Sequence, residues 1–281
     1  MIFSIRHETE YRYSREVFLE PHTVRLRPRD DGSGSLLSYS SRIEPAPSTK
    51  SSCLDPSGNV VEQLHFTGLH ARLLIVTETE VSTERTNPFD YLPAERATRV
   101  PIAYTDGERQ LLSPFLLPPE HPDVKAFATE VLESLPEEGG VSHLLSELTL
   151  RLSSGHRTVV RPEGEPFPPE KSVRTTELSC RDLAVLFVAL CRALGIASRF
   201  VSGYQAGDPD QDARDLHAWA EVYIPGGGWR GYDPTLGLAV ADEHIAVAAA
   251  GDPADAAPVT GSFRATGASA TITTAIELHR L

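Results

Sequence analysis

Residues 179–204 read SCRDLAVLFVALCRALGIASRFVSGY. Ser179 is a favourable N-cap, and Asp182 stands three residues on, where a carboxylate can complete the cap. Leu183, Leu186, Phe187, Leu190 and Leu194 then recur at helical spacing, and Gly195 supplies the residue type that ends a helix. The pattern predicts an amphipathic helix with Cys180 in its first turn, followed by a strand, SRFVSGY. Further on, HAWAEVYI (217–224) and WRGYD (229–233) predict two more strands, joined through the turn Pro225, Gly226, Gly227, Gly228. A helix laid on an antiparallel sheet places this half of the chain in the α+β class.

Towards the N-terminus the period changes. In FSIRHETEYRYS, the residues Phe3, Ile5, His7, Thr9, Tyr11 and Tyr13 fall on one face of a strand with charged residues opposite. Val24 and Leu26 alternate with Arg25 and Arg27. Asp55, Pro56, Ser57, Gly58 and Asn59 form a turn signal between a strand ending near Cys53 and one beginning near Val60. LHARLLIVTETEVSTE adds a longer β-rich run. Several strands with turns between them and no helical period predict an antiparallel β-sandwich over residues 1–85. Prolines at 88, 93, 101, 114, 118, 119 and 122 mark 86–122 as a surface linker, and 123–281 reads as a catalytic domain. Pro122 opens a helix bearing Val124, Phe127, Val131, Leu132 and Leu135 on one stripe. Leu144, Leu145, Leu148 and Leu152 mark another. Residues 154–175 fit a loop, either plain or beside a site. After an Ala-rich stretch, SFRATG and ATITTAIELHRL alternate and are expected to return to a sheet.

The chain has 281 residues, long enough to bury a large core without metal or disulfide staples. A net charge of −13 argues against broad contact with nucleic acid or an anionic membrane, because both are led by a positive field. No apolar run reaches membrane-spanning length and the start alternates, so neither a membrane span nor a signal peptide is expected. Three cysteines without CxxC spacing favour a reducing cytoplasm over a disulfide framework or a zinc cage.

Cys180 in a first helical turn lies where unpaired N–H groups and the macrodipole favour a thiolate. His217 opens one strand of the hairpin and Asp233 ends the other, so antiparallel pairing would bring the two together. A nucleophile needs a base, and the base needs a group that fixes its tautomer. Cys180, His217 and Asp233 fill those roles.

These two core runs, with Cys, His and Asp in that order, resemble the bacterial transglutaminase-like proteins, a branch of the papain-like superfamily. IRHETEYRYS, VRLRPR, DPSGNVVEQLHF and NPFDYL resemble the β-rich region that precedes the core in that family. The resemblance implies a papain-like core after the sandwich and a Cys180–His217–Asp233 site. It implies acyl transfer on a peptide or side-chain amide through a thioester, hydrolytic as in a peptidase or amidase, with a protein-glutamine transglutaminase or a non-catalytic binding protein on the same fold as the alternatives. Three positions depart from the family's pattern. Ser179 stands where a glycine is usual, Leu183 replaces a frequent phenylalanine, and AAAGDPADAAPVTG lacks the usual Arg and Tyr, which bears on substrate contact.

Other residues have plainer readings. Cys191, three turns along the helix from Cys180, faces the apolar stripe as core, and Cys53 is structural. Trp219, two residues from His217, shares its face and can shield the site or touch substrate. The glycines at 226–228 lack the Lys-Ser/Thr pair of a phosphate loop. Asp208, Asp210, Asp212 and Asp215 lack the glycine and terminal glutamate of a calcium loop, and read as a solvated connector. His7, His65 and His70 show no ligand spacing. No cofactor or metal is expected, and no nucleic-acid or membrane partner.

Overall fold

In the computed structural model, which describes residues 1–136, 140–161, 164–207 and 214–281, the opening period-two run is β1 (Ile2–Leu19). Its Phe3, Ile5, His7, Thr9 and Tyr13 are buried, while the intervening charged residues stay at least partly exposed. Then follow β2 (His22–Val24), β3 (Gly34–Glu44), β4 (Thr49–Leu54), β5 (Val60–His65) and β6 (His70–Thr83). One sheet takes the order β3-β6-β1, and the other the order β2-β5-β4. Val17 and Leu19 from β1, Val24 from β2, Leu64 from β5 and Leu73 and Ile75 from β6 pool in one apolar cluster, as the facing layers of a sandwich do.

The proline-rich stretch carries a short helix, α1 (Asp106–Leu111), and it does not merely skirt the surface. Ala97, Ile102, Tyr104 and Leu112 are buried in the apolar core of the C-terminal half. Tyr104 Oη donates to the Tyr223 carbonyl at 2.9 Å and accepts the Ala197 N–H at 3.0 Å. The buried residues come singly and at irregular intervals, so no period announces them.

Beyond it lie α2 (Pro122–Glu133), capped by His121 through the Asp123 N–H, and α3 (Gly140–Gly155), whose Leu144, Leu145, Leu148 and Leu152 are fully buried. A two-residue parallel pair, β7 (Arg157–Thr158) and β8 (Glu177–Leu178), flanks α4 (Pro169–Ser172). The predicted helix is α5 (Cys180–Ala193). It buries Leu183, Leu186, Phe187 and Leu190 against the sheet, each contributing about 1.5–3 kcal/mol of transfer free energy. Gly195, at φ +72°, turns the chain where a side chain would be strained.

The sheet under α5 comprises β9 (Ser198–Gln205), β10 (His217–Ile224), β11 (Gly228–Asp233), β12 (Leu238–Ala239) and β13 (His244–Ala250), in the order β12-β11-β10-β9-β13. Three last strands, β14 (Val259–Thr260), β15 (Phe263–Arg264) and β16 (Ala270–Arg280), do return to a sheet. They pair with β2, β1 and β1 of the sandwich. The chain end thus completes the N-terminal layers, which alternation alone does not reveal because it names a face and no partner. Among the described residues, no helix is long and apolar enough to cross a membrane.

Candidate active site

Cys180 occupies the first position of α5 because Ser179 stops the helix there. The Asp182 carboxylate accepts the Ser179 N–H at 2.9 Å and its hydroxyl at 2.6 Å. The other oxygen of that carboxylate accepts the Phe167 N–H at 2.7 Å and Arg161 at 2.5 Å. Asp182 is fully buried, and these bonds hold it below the usual carboxylate range against the pull of burial. One side chain therefore sets the start of α5 and pins the loop on either side of residues 162–163. Gly164, Glu165 and Pro166 of that loop line a cleft of about 650 Å³, together with Cys180 and His217.

The hairpin brings His217 and Asp233 together across sixteen residues of sequence. Its register, Ala220 opposite Tyr232 and Ile224 opposite Gly228, sets the start of β10 beside the end of β11. His217 Nε2 and Asp233 Oδ2 lie 2.6 Å apart. Asp233 is fully buried. Its Oδ1 accepts the N–H groups of Thr235 at 2.8 Å and Leu236 at 3.2 Å, so the turn that follows β11 fixes the plane of the carboxylate. The imidazole also interacts with the Cys180 thiol. Burial opposes charge on His217, but the bonds to Asp233 and Cys180 outweigh it and push its pKa up to about 10. Burial likewise opposes charge on Asp233, and its partners, His217 and His244, keep it well below the usual range.

Trp219 shares the face of His217 as expected, with ring centroids 6.2 Å apart and planes 29° from parallel. At 1% exposure it stands behind the imidazole and does not line the cleft. So enclosed a side chain shields the base from the rear and offers substrate no surface, which corrects its reading as a substrate contact. Cys191 is fully buried, and burial pushes its thiol up. Cys53 is exposed on β4, away from the packed layers. Asp208, Asp210 and Asp212 lie outside the described residues. His7 is buried in the sandwich, where its Nδ1 meets Tyr204 Oη at 2.9 Å.

His244 went unread in the sequence. Its Nε2 lies 3.0 Å from Asp233 Oδ2, the oxygen that His217 also engages. It stands at the start of the Ala-rich region in which no period separates strand from helix, and it reaches Asp233 only through the pairing of β13 with β9. The ligand atoms of His217, Asp233 and His244 lie within 4.8 Å of one another. Both nitrogens converge on a single oxygen at 2.6 and 3.0 Å, however. Donors around a tetrahedral ion with bonds of about 2.0–2.1 Å stand roughly 3.3 Å apart. The spacing is that of hydrogen bonds.

The profile of the bacterial transglutaminase-like N-terminal region matches residues 3–82, and that of the transglutaminase-like superfamily matches residues 127–234. An uncharacterized protein of Mycobacterium tuberculosis is 30% identical over 290 residues, covering 92% of this chain and 86% of its own. The chain belongs to the transglutaminase-like superfamily. A Mycobacterium leprae relative is 25% identical and covers 98% of this chain and 97% of its own. Among solved structures, a candidate cysteine protease from Cytophaga hutchinsonii superposes with a TM-score of 0.70 over 99% of this chain and 98% of its own, at 20% identity. That likeness shows a shared transglutaminase-like fold running through both the sandwich and the core.

Proposed function

We propose that this transglutaminase-like protein is a cysteine-dependent acyl-transfer enzyme acting on a peptide or side-chain amide, and that it works as a hydrolase. The observation that carries the reading is a thiol at a helix N-terminus interacting with an imidazole whose Nε2 lies 2.6 Å from a buried carboxylate. Asp233 accepts the Nε2 proton and so leaves Nδ1 as the nitrogen that takes the thiol proton. The thiolate of Cys180 attacks the amide carbonyl, forming a C–S bond while the carbonyl electrons move to oxygen. The backbone N–H of Cys180, at the start of α5, is aimed at that oxyanion. As the C–N bond breaks, His217 returns its proton to the departing amine, and a thioester remains. Water, deprotonated by His217, then releases the acid and regenerates the thiol. An amine arriving instead of water would make the reaction a transamidation. Unpaired Cys53, Cys180 and Cys191 support a reducing, cytoplasmic setting for such a thiol.

The test is an unbiased peptide and amine library assayed for release and for transfer, with mass spectrometry of the trapped acyl-enzyme. The expected result is release, with the acyl group on Cys180 and no turnover in Cys180→Ala, which keeps its fold. Activity in Cys180→Ala, or an acyl adduct elsewhere, would overturn the assignment. Transfer in excess of release would replace hydrolase with transglutaminase.

A further inference from the structure

Asp233 Oδ2 has two histidines on it, and the mechanism uses one. His244 enters from β13, at the edge of the sheet beyond β9. β13 pairs with β9 so that His244 stands across from Gln205, and its side chain is only 2% exposed. Because Asp233 is an anion that only accepts, His244 must donate from Nε2. The Nδ1 of His244 is buried and makes no hydrogen bond among the described residues. The His244 ring also meets the Trp219 indole edge-on at 5.2 Å, and that indole stacks on His217. His244 thus touches both the carboxylate that orients the base and the ring that backs it, without touching the cleft.

The strand that delivers it is held by the sandwich. Ile245 and Val247 pack with Phe3, Ile5 and Val81. Thr83 Oγ1 donates to the Asp242 carbonyl at 2.7 Å, and the Arg29 N–H donates to the Ala246 carbonyl at 2.8 Å. At the far end, the Asn59 side chain pairs with both backbone groups of Ala249, at 2.9 and 3.0 Å. Between the two ends, Gly203 lets β13 and Trp219 close on β9. A Cβ there would lie 2.2 Å from the Ile245 carbonyl oxygen and 2.6 Å from the indole.

We propose that His244 is a positioning residue for the Asp233–His217 pair, set in place by the N-terminal sandwich through β13. This rests on the acyl-transfer reading above. By occupying one lone pair of Oδ2, His244 keeps the carboxylate dry and turns its other lone pair on His217. The titratable groups around it are Asp233 from β11, His217 from β10 and its chain neighbours Asp242 and Glu243. β9 presents Gln205 and Tyr204, the latter bonded to His7.

The experiment uses the full chain and follows the pH dependence of Cys180 alkylation by iodoacetamide beside kcat and KM. His244→Ala is expected to move the acid limb of labelling up by about one pH unit, and to lower kcat about 10–100-fold with KM within about twofold. His244→Gln, whose amide can donate from the place of Nε2, is expected to restore both. Should His244→Ala not fold, His244→Met fills the same space without a donor, and its profile is compared with that of the Gln variant. A variant without the donor that loses thermal stability but keeps the wild-type labelling profile would make His244 core and overturn the proposal. Labelling needs no substrate. A wild-type profile left unmoved by His217→Ala would therefore fail the acyl-transfer reading first, separately from the role of His244.

Discussion

Two histidines, one fully buried on the sandwich and one largely enclosed on the sheet under α5, show how one residue type is driven in opposite directions. His7 is fully buried on β1, between Tyr204 Oη and Thr9 Oγ1, and burial pushes its pKa down to about 4. His217 is nearly as enclosed, yet the carboxylate of Asp233 and the thiol of Cys180 push it up to about 10. Desolvation acts against charge at both sites. Neutral hydroxyls satisfy a neutral ring without offsetting the cost of a cation, whereas an anion at 2.6 Å more than offsets it. The sandwich therefore keeps a histidine that resists protonation, and the sheet under α5 keeps one that holds its proton through neutral pH.

The comparison breaks most severely if its anion is removed. Asp233→Asn is expected to lower turnover by about three to four orders of magnitude while the fold persists, because the base is left in a less productive tautomer. Wild-type kcat in that variant would reduce Asp233 to a turn residue. The next effect concerns stability. His7 has a folded pKa below its unfolded value of 6.5, so it contributes nothing above that pH. As pH falls through 6.5 towards about 4, the unfolded chain takes up a proton that the folded chain refuses, and stability drops by about 3 kcal/mol. Chemical denaturation between pH 7 and pH 4 measures it, and His7→Gln is expected to flatten that slope. For His217 the sign reverses. Its contribution is fully present below 6.5 and is lost as pH rises through about 10, where kcat/KM should also fall. A basic limb near 6.5 would mean that Asp233 does not hold the imidazolium. The smallest expected effect sharpens the link between the regions. Asn59→Ala removes the side chain that clasps Ala249 at the end of β13. It should lower Tm and reduce kcat a few-fold, while leaving the basic limb in place.

The parts of this architecture that were legible in the sequence are those built from local periods. Ser179, Asp182 and the leucines of α5 mark that helix by its cap and stripe, and the hairpin turn follows from Pro225 to Gly228. The placement of Cys180 at a helix start, and of His217 and Asp233 at the two open ends of one hairpin, was legible for the same reason, since each lies at the end of an element whose register is set nearby. Asp233 reaches His217 across a single tight turn. His244 reaches the same oxygen only after β13 has crossed beyond β9, and no local signal specifies that pairing. The partners of β14, β15 and β16 were hidden likewise. Alternation in residues 270–280 marks a strand, but its pairing with β1 spans nearly the whole chain. Tyr104 lies in a stretch whose prolines read as surface, yet it is fixed by two backbone groups of the core.

Whether Cys180 and His217 act as a couple is read from the pH dependence of iodoacetamide labelling at all three thiols. Alkylation follows thiolate fraction and access. Cys53 is exposed, Cys180 is partly exposed and Cys191 is buried, so the three thiols separate chemistry from exposure within one molecule. The expected result is that Cys180 labels first at mildly acidic pH, and that His217→Ala moves its labelling to higher pH while Cys53 is unchanged. First labelling at Cys53 or Cys191, or a Cys180 profile indifferent to His217→Ala, would contradict it.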